Sequence, residues 1–74
     1  MDAEKAEWVE RACLRRLAEM GSNGLSETVL CAVVTKASEG EDHAVIAPDV
    51  RRALKRLKEN KRVAHSAGRW RRLA

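Results

Sequence analysis

The chain has 74 residues, with 15 Lys and Arg against 11 Asp and Glu for a formal charge of +4, 45% hydrophobic and only 3% aromatic residues. A chain this short buries about 60% of the surface its unfolded form exposes, enough for a single thin core. Several domains are thereby excluded, and so little room remains for a deep cleft that no enzymatic activity is expected.

Residues Asp2 to Met20 predict a first helix, rich in Ala, Glu, Arg and Leu, with acids in the first turn facing the positive end of the helix dipole. At about 100° per residue, Ala6, Val9, Cys13, Leu17 and Met20 share one stripe and are predicted core. Trp8 lies off that stripe beside Arg11 and Ala12, so it either packs on another element or stays partly exposed. Gly21 suits a left-handed helix stop, and Ser22-Asn23-Gly24 continues as a turn.

Ser26 is placed to cap a second helix, with Glu27 in its first turn, running to about Ser38. The β-branched stretch Thr28 to Val34 also suits a strand, but it is long for one and does not alternate, which favours helix. Leu30, Val33, Val34 and Ala37 fall on its predicted inner side. Glu39 to Ala47 reads as a polar loop ending in Val45-Ile46, either a single β-bridge or a hydrophobic staple for the next helix.

Pro48 stands where a first helical position accepts proline, with Asp49 beside it, and predicts a third helix to about Asn60. Val50, Ala53, Leu54 and Leu57 form its apolar stripe. Arg52, Lys55, Arg56 and Glu59 fall opposite, flanked by Arg51 and Lys58. Beyond Lys61 the period changes. Arg62 to His65 and Trp70 to Leu73 are short extended segments around Ser66-Ala67-Gly68, a hairpin signal. Alternation sets Val63 and His65 on one side, and Trp70 with Arg72 opposite Arg71 with Leu73; which pair faces inward is not settled locally.

The modest total charge conceals a division. Residues 1–50 carry five bases against ten acids, net −5, whereas residues 51–74 carry ten bases against Glu59, net +9. Basic residues gathered at one end favour a polyanionic partner, because phosphate binding releases condensed counterions. No apolar run approaches the roughly 18 residues a membrane span needs, and Met1-Asp2-Ala3-Glu4-Lys5 is too acidic to open a signal peptide, so no membrane association is expected.

Chemical motifs are sparse. Cys13 and Cys31 lack any framework spacing and read as free thiols in a reducing, intracellular compartment. A zinc site from Cys13, Cys31, His43 and His65 matches no compact ligand spacing. Ser26, Ser38 and Ser66 have no base arranged beside them, and Glu41-Asp42 lies in a polar loop. No cofactor or metal is expected. The chain is expected to form one domain over residues 1–74, monomeric when isolated, and its end immediately after the last strand reads as the boundary of an N-terminal domain in a longer protein.

The order of elements, with Leu25 in the slot of a small first strand, Val50-Arg51-Arg52-Ala53-Leu54-Lys55-Arg56-Leu57-Lys58-Glu59-Asn60-Lys61-Arg62-Val63, and Gly68-Arg69-Trp70-Arg71-Arg72-Leu73, resembles a winged helix-turn-helix across nearly the whole chain. The resemblance implies a mainly α, α+β fold of three helices with a C-terminal two-stranded β-hairpin wing. The ending and the long connection before the third helix are loosely similar to the linker-histone globular domain and to CpG-island-binding winged helices, although the turn here is shorter and less Gly- and Lys-rich. Trp70 is also similar to the wing tryptophan of Z-DNA-binding domains, but the chain has no tyrosine to pair with it and only Pro48 among prolines.

By this resemblance the chain is expected to bind double-stranded DNA, in transcription regulation or in chromatin or nucleoid organisation. A nuclear location is expected if the organism is eukaryotic, otherwise a cytoplasmic or nucleoid one. The expected DNA-binding residues are Arg51, Arg52, Lys55, Arg56, Lys58, Lys61, Arg62, Arg69, Trp70, Arg71 and Arg72: helix arginines read base edges, Lys55 holds phosphate, Lys58, Lys61 and Arg62 extend the positive surface, Arg69, Arg71 and Arg72 touch backbone or minor groove, and Trp70 is either core of the wing or a base-stacking platform. The alternative, equally compatible with the fold, is a protein-interaction domain whose basic helix engages an acidic protein partner, with Trp8 or Leu25 at the contact.

Overall fold

The computed structural model describes residues 3–41 and 44–73. Helix α1 spans Ala3–Met20, and Asp2, where it was expected to begin, lies outside the described residues. Val9, Cys13 and Leu17 are fully buried, as their shared stripe predicts. Ala6 is half-buried, and Met20, in the last turn, is exposed. Trp8 packs part of its surface against the core and leaves the rest open.

A 3₁₀ turn, Gly21–Asn23, leads to the two-residue strand β1, Leu25–Ser26. Between them Gly24 is buried with φ 64° and ψ −166°, a region only glycine occupies comfortably. A Cβ at Gly24 would overlap the carbonyl oxygen of Trp70. The missing side chain is what lets this turn lie against the last strand.

Ser26 is extended and caps helix α2, Glu27–Ala37, its Oγ accepting the Val29 N–H at 3.3 Å. The inner face of α2 differs from the predicted one. Leu30, Cys31 and Val34 are buried, Val33 is half-buried and Ala37 is exposed. The helix is rotated toward α3, Ala47–Glu59, so that the Cys31 thiol comes within 3.9 Å of the Ala47 carbonyl oxygen.

Helix α3 starts one residue before the proline, which occupies its second position, where the lost N–H still has no intrahelical partner. Val45 and Val50 are both buried in the shared core on either side of the Ile46 cap, the arrangement of a hydrophobic staple, and no bridge forms at Val45-Ile46. Val50, Ala53, Leu54 and Leu57 are all buried.

Strands β2 (Val63–Ser66) and β3 (Arg69–Arg72) form the hairpin, and β1 pairs antiparallel with the free edge of β3. The sheet therefore has three strands in the order β1-β3-β2, the two strands of the expected hairpin together with a short strand at Leu25, the slot that the resemblance gave to a small first strand. Leu25 opposite Trp70 supplies the third strand's register, and pairing covers an edge that would otherwise be left open. The result is a mainly helical α+β domain in which all three helices and the sheet share one core.

Candidate nucleic-acid interface

Helix α3 separates its residues sharply, with an apolar side facing α1 and α2 and a basic side facing solvent. Arg51, Arg52, Lys55, Arg56 and Lys58 are all exposed. Three of them approach acids of the scaffold. Arg51 Nε lies 3.7 Å from Glu27, Arg52 is 3.9 Å from Asp49, and Arg56 Nε is 3.9 Å from Glu10. Such long pairs with exposed arginines hold little energy and leave the guanidinium groups free to exchange partners.

The acid that anchors α3 is Asp49, which sequence reasoning passed over as a first-turn acid. Asp49 is 4% exposed, and its carboxylate accepts the Ile46 N–H at 3.1 Å and pairs with Lys5 of α1 at 3.0 Å. Ile46 has no side-chain oxygen to return a cap, so only half of a capping box forms. Burial by itself raises the Asp49 pKa, but the Ile46 N–H, Lys5 and Arg52 outweigh it and hold the carboxyl below its ordinary value. A depressed folded-state pKa contributes stability that is present at neutral pH and is lost as pH falls through that pKa. Asp49→Asn is accordingly expected to lose about 1–3 kcal/mol at neutral pH. In thermal denaturation the gap from the parent protein should close as pH falls below the ordinary carboxylate range and through the lowered Asp49 pKa, and a gap independent of pH would rule out the charge as its source.

The end of α3 sets the direction of the hairpin. Lys61 adopts a left-handed φ of 59°, its N–H donates to the Lys58 carbonyl at 3.0 Å, and the Arg62 N–H donates to Leu57 at 2.8 Å. This is a Schellman stop with lysine in the usual glycine position. It places Lys58, Lys61 and Arg62 in succession, all exposed, between helix and sheet.

The hairpin turn comprises Ala67 and Gly68, with φ 51° and 73°, the two positive values of a type I′ turn. Ala67 bears a strain that asparagine tolerates better. Ala67→Asn is expected to stabilise the domain by about 0.5–1 kcal/mol in urea titration, with an unchanged m-value.

Across β3, Arg69 and Arg71 lie on the outer face and Trp70 on the inner one. Arg69 reaches back to the Asn23 carbonyl at 3.4 Å, and Arg71 and Arg72 are exposed. Trp70, counted among the contact residues from sequence, is only 6% exposed and belongs to the core. Its indole stacks on His65 directly across the strands, with centroids 4.2 Å apart and planes 8° from parallel. A side chain so enclosed holds the sheet on the helices and has no free face for a base. The Trp70 N–H is buried with no hydrogen-bond partner among the described residues.

Other chemistry is weakly served. Burial, with Cys31 and Glu10 nearby, pushes the Cys13 thiol up to about 12, and burial with Glu27 raises Cys31 against the opposing effect of Arg51. Both thiols stay protonated at neutral pH. Among the described residues no group of three or more His, Cys, Asp or Glu is placed to hold a metal, while His43 and Asp42 lie outside the described residues. No helix of the described residues is long and apolar enough to cross a membrane. Comparison with protein-family models, curated proteins and solved structures returned no match.

Proposed function

We propose that the chain is a winged helix-turn-helix domain that binds double-stranded DNA through α3 and the β2–β3 hairpin, acting in transcription regulation or in chromatin or nucleoid organisation. The observation that carries this reading is a set of exposed cations without internal counterions. Lys55, Lys58, Lys61, Arg62, Arg71 and Arg72 have no acidic partner among the described residues, although residues 1–50 carry a net charge of −5. Unneutralised cations on one helix and its following hairpin suit a regular array of phosphates.

In this reading α3 enters the major groove. Lys55 and Lys58, with the residues of the Lys61 turn, hold phosphate, while Arg51, Arg52 and Arg56 exchange their scaffold acids for base edges or phosphate. Arg69, Arg71 and Arg72 extend the contact along the backbone or into the minor groove. Because most contacts go to phosphate, binding tolerates sequence; because α3 needs a major groove wide enough for a helix, B-form duplex is preferred over CG-repeat Z-form DNA or duplex RNA.

Anisotropy of a labelled 20-base-pair duplex across salt concentrations tests the proposal. With about five phosphates engaged, log affinity is expected to fall against log salt with a slope of about −4 to −5. Undetectable binding at low salt, or a flat salt dependence, would dismiss it.

A further inference from the structure

A second basic cluster lies where the charge division predicts none. Three of the five bases in residues 1–50, Arg11, Arg15 and Arg16, line a groove of about 680 Å³ between α1 and α2. None of the groove's lining residues belongs to α3 or the sheet. Arg16 is paired with Glu19 at 3.1 Å. Arg11 and Arg15 are exposed and have no acidic partner among the described residues. The floor beneath them is apolar, formed by Trp8, Ala12, Val33 and Val34.

We infer that this groove docks an amphipathic helix of a partner protein, with the partner's apolar stripe on Trp8 and Val33 and its flanking carboxylates on Arg11 and Arg15. A cleft between two packed helices receives a third helix by the same ridge-and-groove fit that joins the first two. Tryptophan and arginine are the side chains that concentrate binding energy at such sites. The charge selects an acidic segment. A nucleic acid is disfavoured, because its continuous phosphates would have to pass Glu19 and Glu41 as well as an apolar floor. Discrete carboxylates on one helix can avoid both. The site is separate from α3 and the hairpin, so the inference stands independently of DNA binding and allows both partners at once.

The probe is a fluorescein-labelled peptide of about 16 residues with leucines at helical i, i+3, i+4 and i+7 spacing and glutamates elsewhere, alongside the same peptide with lysine in place of each glutamate. The acidic peptide is expected to bind, to shift tryptophan emission to the blue, and to lose that shift in Trp8→Phe. Arg11→Glu with Arg15→Glu should weaken it by about tenfold or more, and the milder Arg11→Gln with Arg15→Gln by a smaller factor, both with helical circular dichroism intact. Reversal of Lys55, Arg71 and Arg72 should leave peptide affinity within about twofold. The inference is overturned if neither peptide binds, if both bind equally, or if the α3 and hairpin variant loses binding while the groove variants keep it. Self-association in sedimentation that only the groove variants abolish would assign the groove to a second copy of the chain and overturn it equally.

Discussion

Gly24→Ala is expected to be the most damaging single substitution in the domain, lowering stability by about 3 kcal/mol or more. Two effects combine. The backbone at φ 64° and ψ −166° is disfavoured for alanine, and the new methyl group would overlap the Trp70 carbonyl oxygen, a main-chain atom that cannot move without shifting β3. Relief of that overlap separates β1 from β3 and loosens Trp70 over the core. A domain of this size holds roughly 4–11 kcal/mol in total. The thermal midpoint should therefore fall by about 12–24 °C, read by circular dichroism. A fall of less than about 4 °C would mean that the turn rearranges freely, and that Gly24 does not set the approach of β1 to β3.

Combined reversal of Lys55, Arg71 and Arg72 to Glu is expected to weaken duplex DNA binding by about 100-fold or more at low salt and to reduce the salt slope by about three. These three are chosen because they have no acidic partner among the described residues, so their loss breaks no internal pair. Reversing Arg52 and Arg56 is a poorer test of the DNA-binding proposal, because it sets new acids beside Asp49 and Glu10 and would mix stability with affinity. The thermal midpoint of the triple variant should stay within a few degrees of the parent. Unchanged affinity with an intact fold would remove the DNA-binding proposal. Arg11→Glu with Arg15→Glu is the matched control, since it alters the same kind of charge on the α1–α2 groove and should leave duplex affinity within a few-fold.

Much of the fold was legible in local pattern. The stripe of Val9, Cys13 and Leu17 and that of Val50, Ala53, Leu54 and Leu57 follow from helical period, and each is buried. Ser26 capped its helix as its side-chain chemistry allows. The hairpin was recognisable from the change of period after Lys61, though its strands are offset by a residue and its turn is only Ala67-Gly68. What lay beyond reach involved partners distant in sequence. A two-residue strand has no periodicity, so the pairing of Leu25 with Trp70, 45 residues further along the chain, emerges only in the folded sheet. Asp49 looked like an ordinary first-turn acid until Lys5 of α1 lay 3.0 Å away.

The same distinction applies to the candidate surfaces. Composition and spacing were enough to establish a small domain whose last third carries ten of its 15 Lys and Arg and only one of its 11 acids, arranged on an amphipathic helix and two short strands. Those properties depend on residue identity and local period, which a linear chain displays in full. Packing settled which side of the hairpin turns inward, sending Trp70 to the core and leaving Arg69 and Arg71 on the outer face. It also aligned Arg11 and Arg15 with Val33 across two helices to make a groove. Burial and proximity of this kind arise from contacts between segments far apart along the chain, and no window of sequence contains both sides of them.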